Sequence, residues 1–247
     1  VGNLIFAVVI TAVVLLGLAR VIDTIGFIGP AIIVVTMIMA IGSLIVNGVD
    51  ITGWTKYISS HDVLLASGSW FMSGVLYALW NIVMCLPFMS AMGSKAQNKT
   101  EVIVGVVFGN IMFTAGAFFL VLAEGSQIEM IEEMSVPALT MAQNLSPVFG
   151  IIYAIILVLA IFTTAVPLMW SVAARLAPEK TWKFAIICLI IAVLGFFGGQ
   201  LPFEKLINYI YPLIGYVGFI EFAFIVWRDI KLIKGSKTGD ALTAHDE

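Results

Sequence analysis

An all-α, polytopic transmembrane helix bundle is the fold class this sequence predicts, and three observations carry that expectation. Of 247 residues, 61% are hydrophobic and 11% are charged, where a soluble domain carries about a quarter charged residues. Mean hydropathy is +1.10. Seven runs, residues 4–19, 31–46, 70–92, 102–123, 148–172, 182–201 and 206–227, contain no Asp, Glu, Lys or Arg apart from Lys183 and Glu221. A bilayer core about 30 Å thick asks for about 20 such residues in a helix. One water-soluble domain of this length has no room to hide so much apolar surface, which excludes a soluble enzyme and a nucleic-acid binder.

The first two runs are short, and Gly26, Gly29 and Pro30 predict a turn between them. All seven are apolar around their whole circumference, which suits helices surrounded by lipid and by other helices. Between the second and third runs, residues 50–69 carry Trp54, Tyr57 and His61 and can hold a short interfacial helix. Between the fourth and fifth, residues 124–146 hold Glu124, Glu129, Glu132 and Glu133 with no basic residue. A second short helix is expected over residues 136–145, with Ser135 as N-cap and Pro137 in its first turn. The glutamates read either as a solvated face or as an attraction for cations at an entrance. The sequon Asn144-Leu145-Ser146, followed by Pro147, reads as chance.

Counting basic residues on alternate loops orients the chain. With the N-terminus outside, Arg20, Lys95, Lys99, Arg175, Lys180, Lys183, Arg228, Lys231, Lys234 and Lys237 face the cytoplasm, against Lys56 and Lys205 outside. That is a strong positive-inside bias. It places the chain in the inner or plasma membrane as a multi-pass protein with a cytoplasmic C-terminus. Residues 1–234 form the transmembrane domain, and residues 235–247 are expected to be a disordered cytoplasmic tail. Val1 lies inside an apolar run with no basic flank or cleavage site, so no signal peptide is read and the chain is expected to begin mid-protein.

Chemistry at mid-membrane depth requires polar groups there, and few exist. Asn81 sits at the middle of the third run, with Gly68 and Gly74 before it and Pro87 after. This fits a helix that opens at its centre to bind a solute or ion; the plainer reading is an intact helix whose amide bonds a neighbour. Tyr77 and Trp80 lie beside it and, with Trp170, can line a cavity or simply pack. Thr163 and Thr164 precede Pro167, whose ring frees the Thr163 carbonyl, so an oxygen-rich corner for sodium is one reading and hydroxyls bonded to their own helix the other. Asn110 can ligate or can glue helices together. Glu221, about two turns short of Arg228, is either a proton-binding carboxylate or one that snorkels toward the basic end. Pro212, Gly215 and Gly218 in the same run predict a kink or a close helix approach. Cys85 and Cys188 fall in apolar runs with no disulfide framework, and His61 and His245 lie in polar stretches, so no metal or haem site is expected.

The run Leu76-Tyr77-Ala78-Leu79-Trp80-Asn81-Ile82, the basic loop Ser94-Lys95-Ala96-Gln97-Asn98-Lys99, Gly109-Asn110, Thr163-Thr164 and Tyr211-Pro212-Leu213-Ile214-Gly215-Tyr216-Val217-Gly218 resemble the YkvI family of bacterial membrane proteins. That family is grouped with the amino acid, polyamine and organocation transporter superfamily. The resemblance implies a LeuT-type fold of two inverted five-helix repeats. The seven runs here correspond to the last two helices of the first repeat and the complete second repeat, about three N-terminal helices being absent. It further implies substrate binding around Tyr77, Trp80 and Asn81 and a sodium position at Thr163 and Thr164. The function so implied is secondary active transport of a small, amino-acid-like solute by alternating access. No cofactor is called for beyond a bound sodium ion, and the partners are the solute and the lipid bilayer.

A seven-helix receptor, sensor or scaffold shares the expected topology. A retinal Schiff base would need a lysine deep in the last run, and none lies between Lys205 and Lys231. An intramembrane enzyme would want paired carboxylates or a Ser/His pair, and only Glu221 is available.

Overall fold

The computed structural model describes residues 2–61, 66–131, 134, 136–200 and 209–243, with Thr24 and residues 232–243 described by backbone alone. Glu132, Glu133, Ser135, Lys205 and His245 lie outside the described residues. Ten α-helices follow one another among them: α1 (Gly2–Leu15), α2 (Leu18–Asn47), α3 (Ile51–Ser60), α4 (Trp70–Gly93), α5 (Lys99–Gly125), α6 (Ile128–Ile131), α7 (Pro137–Leu145), α8 (Pro147–Leu176), α9 (Trp182–Gly198) and α10 (Tyr211–Thr243). No described residue lies in a strand. Helices α2, α4, α5 and α8 are long and apolar enough to cross a bilayer, and α1 and α9 are shorter apolar helices. In lipid a backbone has no water to bond, so long internally bonded helices are the structure such runs must take.

Two compact units divide the chain, Val1–Val63 with Phe88–Gln200, and Leu64–Pro87 with Leu201–Glu247. In the first unit α2 and α8 form an antiparallel spine that passes through both of its apolar clusters. At one end Leu18 and Val21 of α2 meet Val166, Met169, Trp170 and Ala173 of α8, with Ile10 and Val14 of α1, Phe184 and Cys188 of α9, and Phe88. At the other end Met39 and Ala40 meet Tyr153, together with Ala123, Ile131, Ala138, Met141 and Ala142 from α5 to α7. Lipid tails are as apolar as these side chains, so close packing and small residues, not escape from water, hold such helices together. Gly116 of α5 is accordingly buried where a Cβ would touch Ile33 and Met37 of α2 at 3.7 and 3.8 Å.

Helix ends follow from identifiable caps. The Asp50 side chain accepts from the Gly53 amide at 2.7 Å and starts α3, the short helix expected in that loop, whose Trp54 ring lies flat against Gly125. Asn98 accepts from the Glu101 amide at 2.8 Å to start α5, and Thr181 accepts from the Phe184 amide at 3.2 Å to start α9. Pro137 opens α7 as expected, but Val136 stands at the N-cap without a side-chain bond. The last helix continues past Trp227 as far as Thr243, through most of the stretch expected to be a disordered tail.

The largest departure from the expected layout is near the N-terminus. The turn anticipated at Gly26–Pro30 is absent, and α2 runs straight through it. Proline deletes only one amide, and a helix among other helices tolerates that loss. The chain turns instead at Gly17, with φ 90° and ψ 171°, a conformation open essentially to glycine alone. A Gly17→Ala variant should therefore lose about 1–3 kcal/mol of stability, measurable as a lower unfolding midpoint in detergent.

Candidate functional site

The residues expected to bind solute lie on α4 in the second unit. This helix is continuous from Trp70 to Gly93, and the central opening expected around Asn81 does not occur. Asn81 is half-buried, and its Nδ2 donates to the Tyr77 carbonyl at 2.8 Å, so its amide supports its own helix rather than a neighbour. The Trp80 ring stacks on Tyr211 of α10, centroids 4.4 Å apart at 19°. Tyr77 leans against the same indole at 5.9 Å, with its ring half exposed. The stack is possible because α10 approaches α4 at two glycines. A Cβ at Gly215 would stand 2.7 Å from the Leu76 carbonyl oxygen, and one at Gly218 2.8 Å from the Leu79 Cβ. The close approach expected from Gly215 and Gly218 is therefore present. Tyr209 and Ile210, just before α10, have π-type backbone.

What distinguishes this crossing chemically is the Trp80 indole nitrogen, which is buried and has no hydrogen-bond partner among the described residues. A buried donor without an acceptor costs about 1–3 kcal/mol. Glu221 lies three residues beyond Gly218 on α10 and is half-buried.

The other expected residues belong to the first unit and are not brought together there. Thr163 and Thr164 both donate to the Ala160 carbonyl, at 3.0 and 2.9 Å, within an unbroken α8. Their hydroxyls follow the helix-internal reading. Asn110 is exposed on α5, among neighbours from Glu101 to Ile111 that are all exposed. Trp170 is packed: it is buried, its ring edge meets Phe88 at 6.1 Å, and its indole N–H is bonded. Of the glutamates between the fourth and fifth apolar runs, Glu129 is exposed whereas Glu124 is half-buried in the last turn of α5.

Two polar groupings were not anticipated. Glu179, in the α8–α9 corner, accepts through one oxygen from both the Trp170 indole at 2.5 Å and the Leu18 amide at 3.1 Å. It thus caps α2 across the fold, because Gly17 offers no side chain to do so. The only local hint was a lone carboxylate between Pro178 and Lys180. Gln127, just beyond α5, is buried and donates to the Ser43 hydroxyl at 2.6 Å and the Ala123 carbonyl at 3.3 Å. Its Oε1 has no partner among the described residues. Ser43 sits inside an apolar run, where one small hydroxyl carries no signal of its own.

Four helices able to cross a bilayer, packed through small residues, place the chain in the class of helical membrane proteins. Among protein-family models, curated proteins and solved structures, nothing matches this chain.

Gly218→Ala should force α10 away from α4 and lower the unfolding midpoint in detergent, at a cost of about 1–3 kcal/mol. Gly105→Ala, where a Cβ meets nothing within 4 Å, should be neutral or stabilising in the same assay, by up to about 1 kcal/mol. Ser43→Ala removes one of two acceptors from the buried Gln127 amide and should cost about 1–3 kcal/mol, read out in the same way.

Proposed function

We propose that this chain is a secondary active transporter of a small organic solute, working by alternating access around a site on α4. The observation that carries this reading is the buried Trp80 indole N–H, which has no partner among the described residues, lies near the middle of an apolar helix and is followed directly by the half-buried Asn81 amide. A dry donor with no acceptor among the described residues is explained when a solute supplies the acceptor. The Trp80–Tyr211 stack forms a stiff wall for such a solute, and Asn81 Oδ1 can accept from it.

The resemblance to the YkvI family supports an amino-acid-like solute and a LeuT-type arrangement. In that arrangement α1 and α2 stand as the last two helices of the first repeat, and α4, α5, α8, α9 and α10 as the second. The seven spans then put the basic residues of the α1–α2, α4–α5 and α8–α9 corners on the cytoplasmic side of a bacterial inner membrane, with the N-terminus outside. For coupling, Thr163, Thr164 and the carbonyl freed by Pro167 are the sodium candidates, without Asn110, and Glu221 is the proton candidate.

Uptake of a labelled amino-acid mixture into proteoliposomes, under a sodium gradient or a proton gradient, tests the reading. Asn81→Ala should abolish uptake while the protein remains folded. Trp80→Phe keeps an aromatic side chain, smaller than indole, and loses the donor, so KM should rise about 3- to 10-fold. Uptake that neither variant alters would remove the site from α4. Stimulation by sodium alone points to Thr163 and Thr164, and stimulation by protons alone to Glu221.

A further inference from the structure

The contact of Glu179 with α2 has the properties of a device that opens, and its parts lie in one compact unit. The corner that carries Glu179 is held rigidly. Thr181 donates its hydroxyl to the Pro178 carbonyl at 2.7 Å and caps α9, and Lys180 is the one described non-glycine residue at positive φ, 60°. A lysine in that region is conformationally costly, and such positions persist where surrounding structure over-determines them. From this corner the carboxylate reaches the first amide of α2 and the Trp170 indole together. Its second oxygen packs on Gly17, where a Cβ would stand 3.0 Å away. Gly17 in turn leaves α2 free to rotate about its start.

At the far end of the same stretch α2 carries Gly26, Gly29 and Pro30. Pro30 has no amide for the Gly26 carbonyl, and neither glycine has another atom within 4 Å of its Cβ position. Loss of one bond beside two glycines marks a place where a helix bends. Residues 18–29 thus form a lever about 18 Å long, with a bend site at one end and, at the other, the Glu179 carboxylate bonded to the Leu18 amide above the buried side chains of Leu18 and Val21. The apolar cluster that the lever covers includes Val21, Trp170 and Phe184.

We propose that Glu179 is a reversible clasp. Engaged, it holds the start of α2 to α8 and closes that end of the unit; released, it lets residues 18–29 pivot at Gly26–Pro30 and admits water to the cluster beneath. The clasp's purpose rests on the transport reading, in which one end must open in each cycle, but its geometry does not.

Hydrogen exchange and thiol labelling of the full chain in lipid nanodiscs test the proposal without any transport assay. Glu179→Ala should speed exchange of the amides of residues 18–25 about tenfold or more, while those of residues 39–44 keep the wild-type rate. In a background with Cys85→Ala and Cys188→Ala, the thiol introduced by Val21→Cys, buried in the parent, should become reactive to a water-soluble maleimide when Glu179→Ala is added. Trp170→Phe removes one arm of the clasp and keeps the ring, and should give an intermediate rise in both readings; it also serves if Glu179→Ala does not fold. Faster exchange limited to residue 18, with the thiol still protected, would reduce Glu179 to a helix cap and overturn the proposal, as would no change in either variant. Opening as expected in a protein that shows no uptake would sink the transport reading and leave the clasp standing.

Discussion

The antiparallel pairing of α2 with α8 is the contact on which the first unit depends, because both apolar clusters are built on it and α1, α5, α6, α7 and α9 each add residues at one end or the other. In a bilayer such a pair gains little by hiding apolar atoms and must gain by fit. The fit is visible in residues with no exposure at all: Val21 and Met39 on α2, Val166 and Ala173 on α8. Around that pair α1, α7 and α9 can be short. Helix α1 contributes Ile10 and Val14, α9 contributes Phe184 and Cys188, and α7 lays Met141 and Ala142 over the opposite end.

A second constraint is the accounting of polar groups. Several side-chain donors on or just beyond the apolar helices turn back onto the local backbone: Thr11 to Ala7, Asn81 to Tyr77, Thr163 and Thr164 to Ala160, Ser126 to Leu122. This is the cheapest solution where no water is present, and it makes such residues structurally silent. Against that background the exceptions carry information. The Trp80 nitrogen, the Gln127 amide oxygen and the Ser171 hydroxyl are buried without partners among the described residues. Of these only Trp80 sits beside another half-buried polar side chain in mid-helix and at a close helix crossing, which is why the proposed solute site centres on it.

How much of this was legible in the sequence depends on the range of the interaction. Runs 70–92, 102–123 and 148–172 match α4, α5 and α8 to within four residues, because hydropathy and helix caps are local properties. Pro137 and the aromatic loop after Asp50 foretold α7 and α3 for the same reason. The corner at Gly17 was not legible. Gly26, Gly29 and Pro30 present the stronger local turn signal, and the choice between the two places is decided by Glu179, which is 161 residues distant from the amide it caps. The close approach of α10 was foreseeable from Gly215 and Gly218. The stack of Tyr211 on Trp80 was not, since it requires the relative rotation of two helices.

The intact α4 changes the mechanism that the proposed solute site can use and is compatible with that proposal. Three of the long helices, α2, α4 and α8, each keep a proline inside an unbroken helix, at Pro30, Pro87 and Pro167. Each ring leaves the carbonyl four residues earlier, at Gly26, Val83 and Thr163, without its helical donor. These carbonyls are acceptors already released from the backbone ladder, so a helix need not unwind to offer one. They are also the points of least resistance to bending. The division between the two compact units falls at one of them, between Pro87 and Phe88. Flexibility and free oxygen thus coincide at the same residues, and a chain that must both coordinate and move can do so at its prolines while the rest of each helix stays fully bonded.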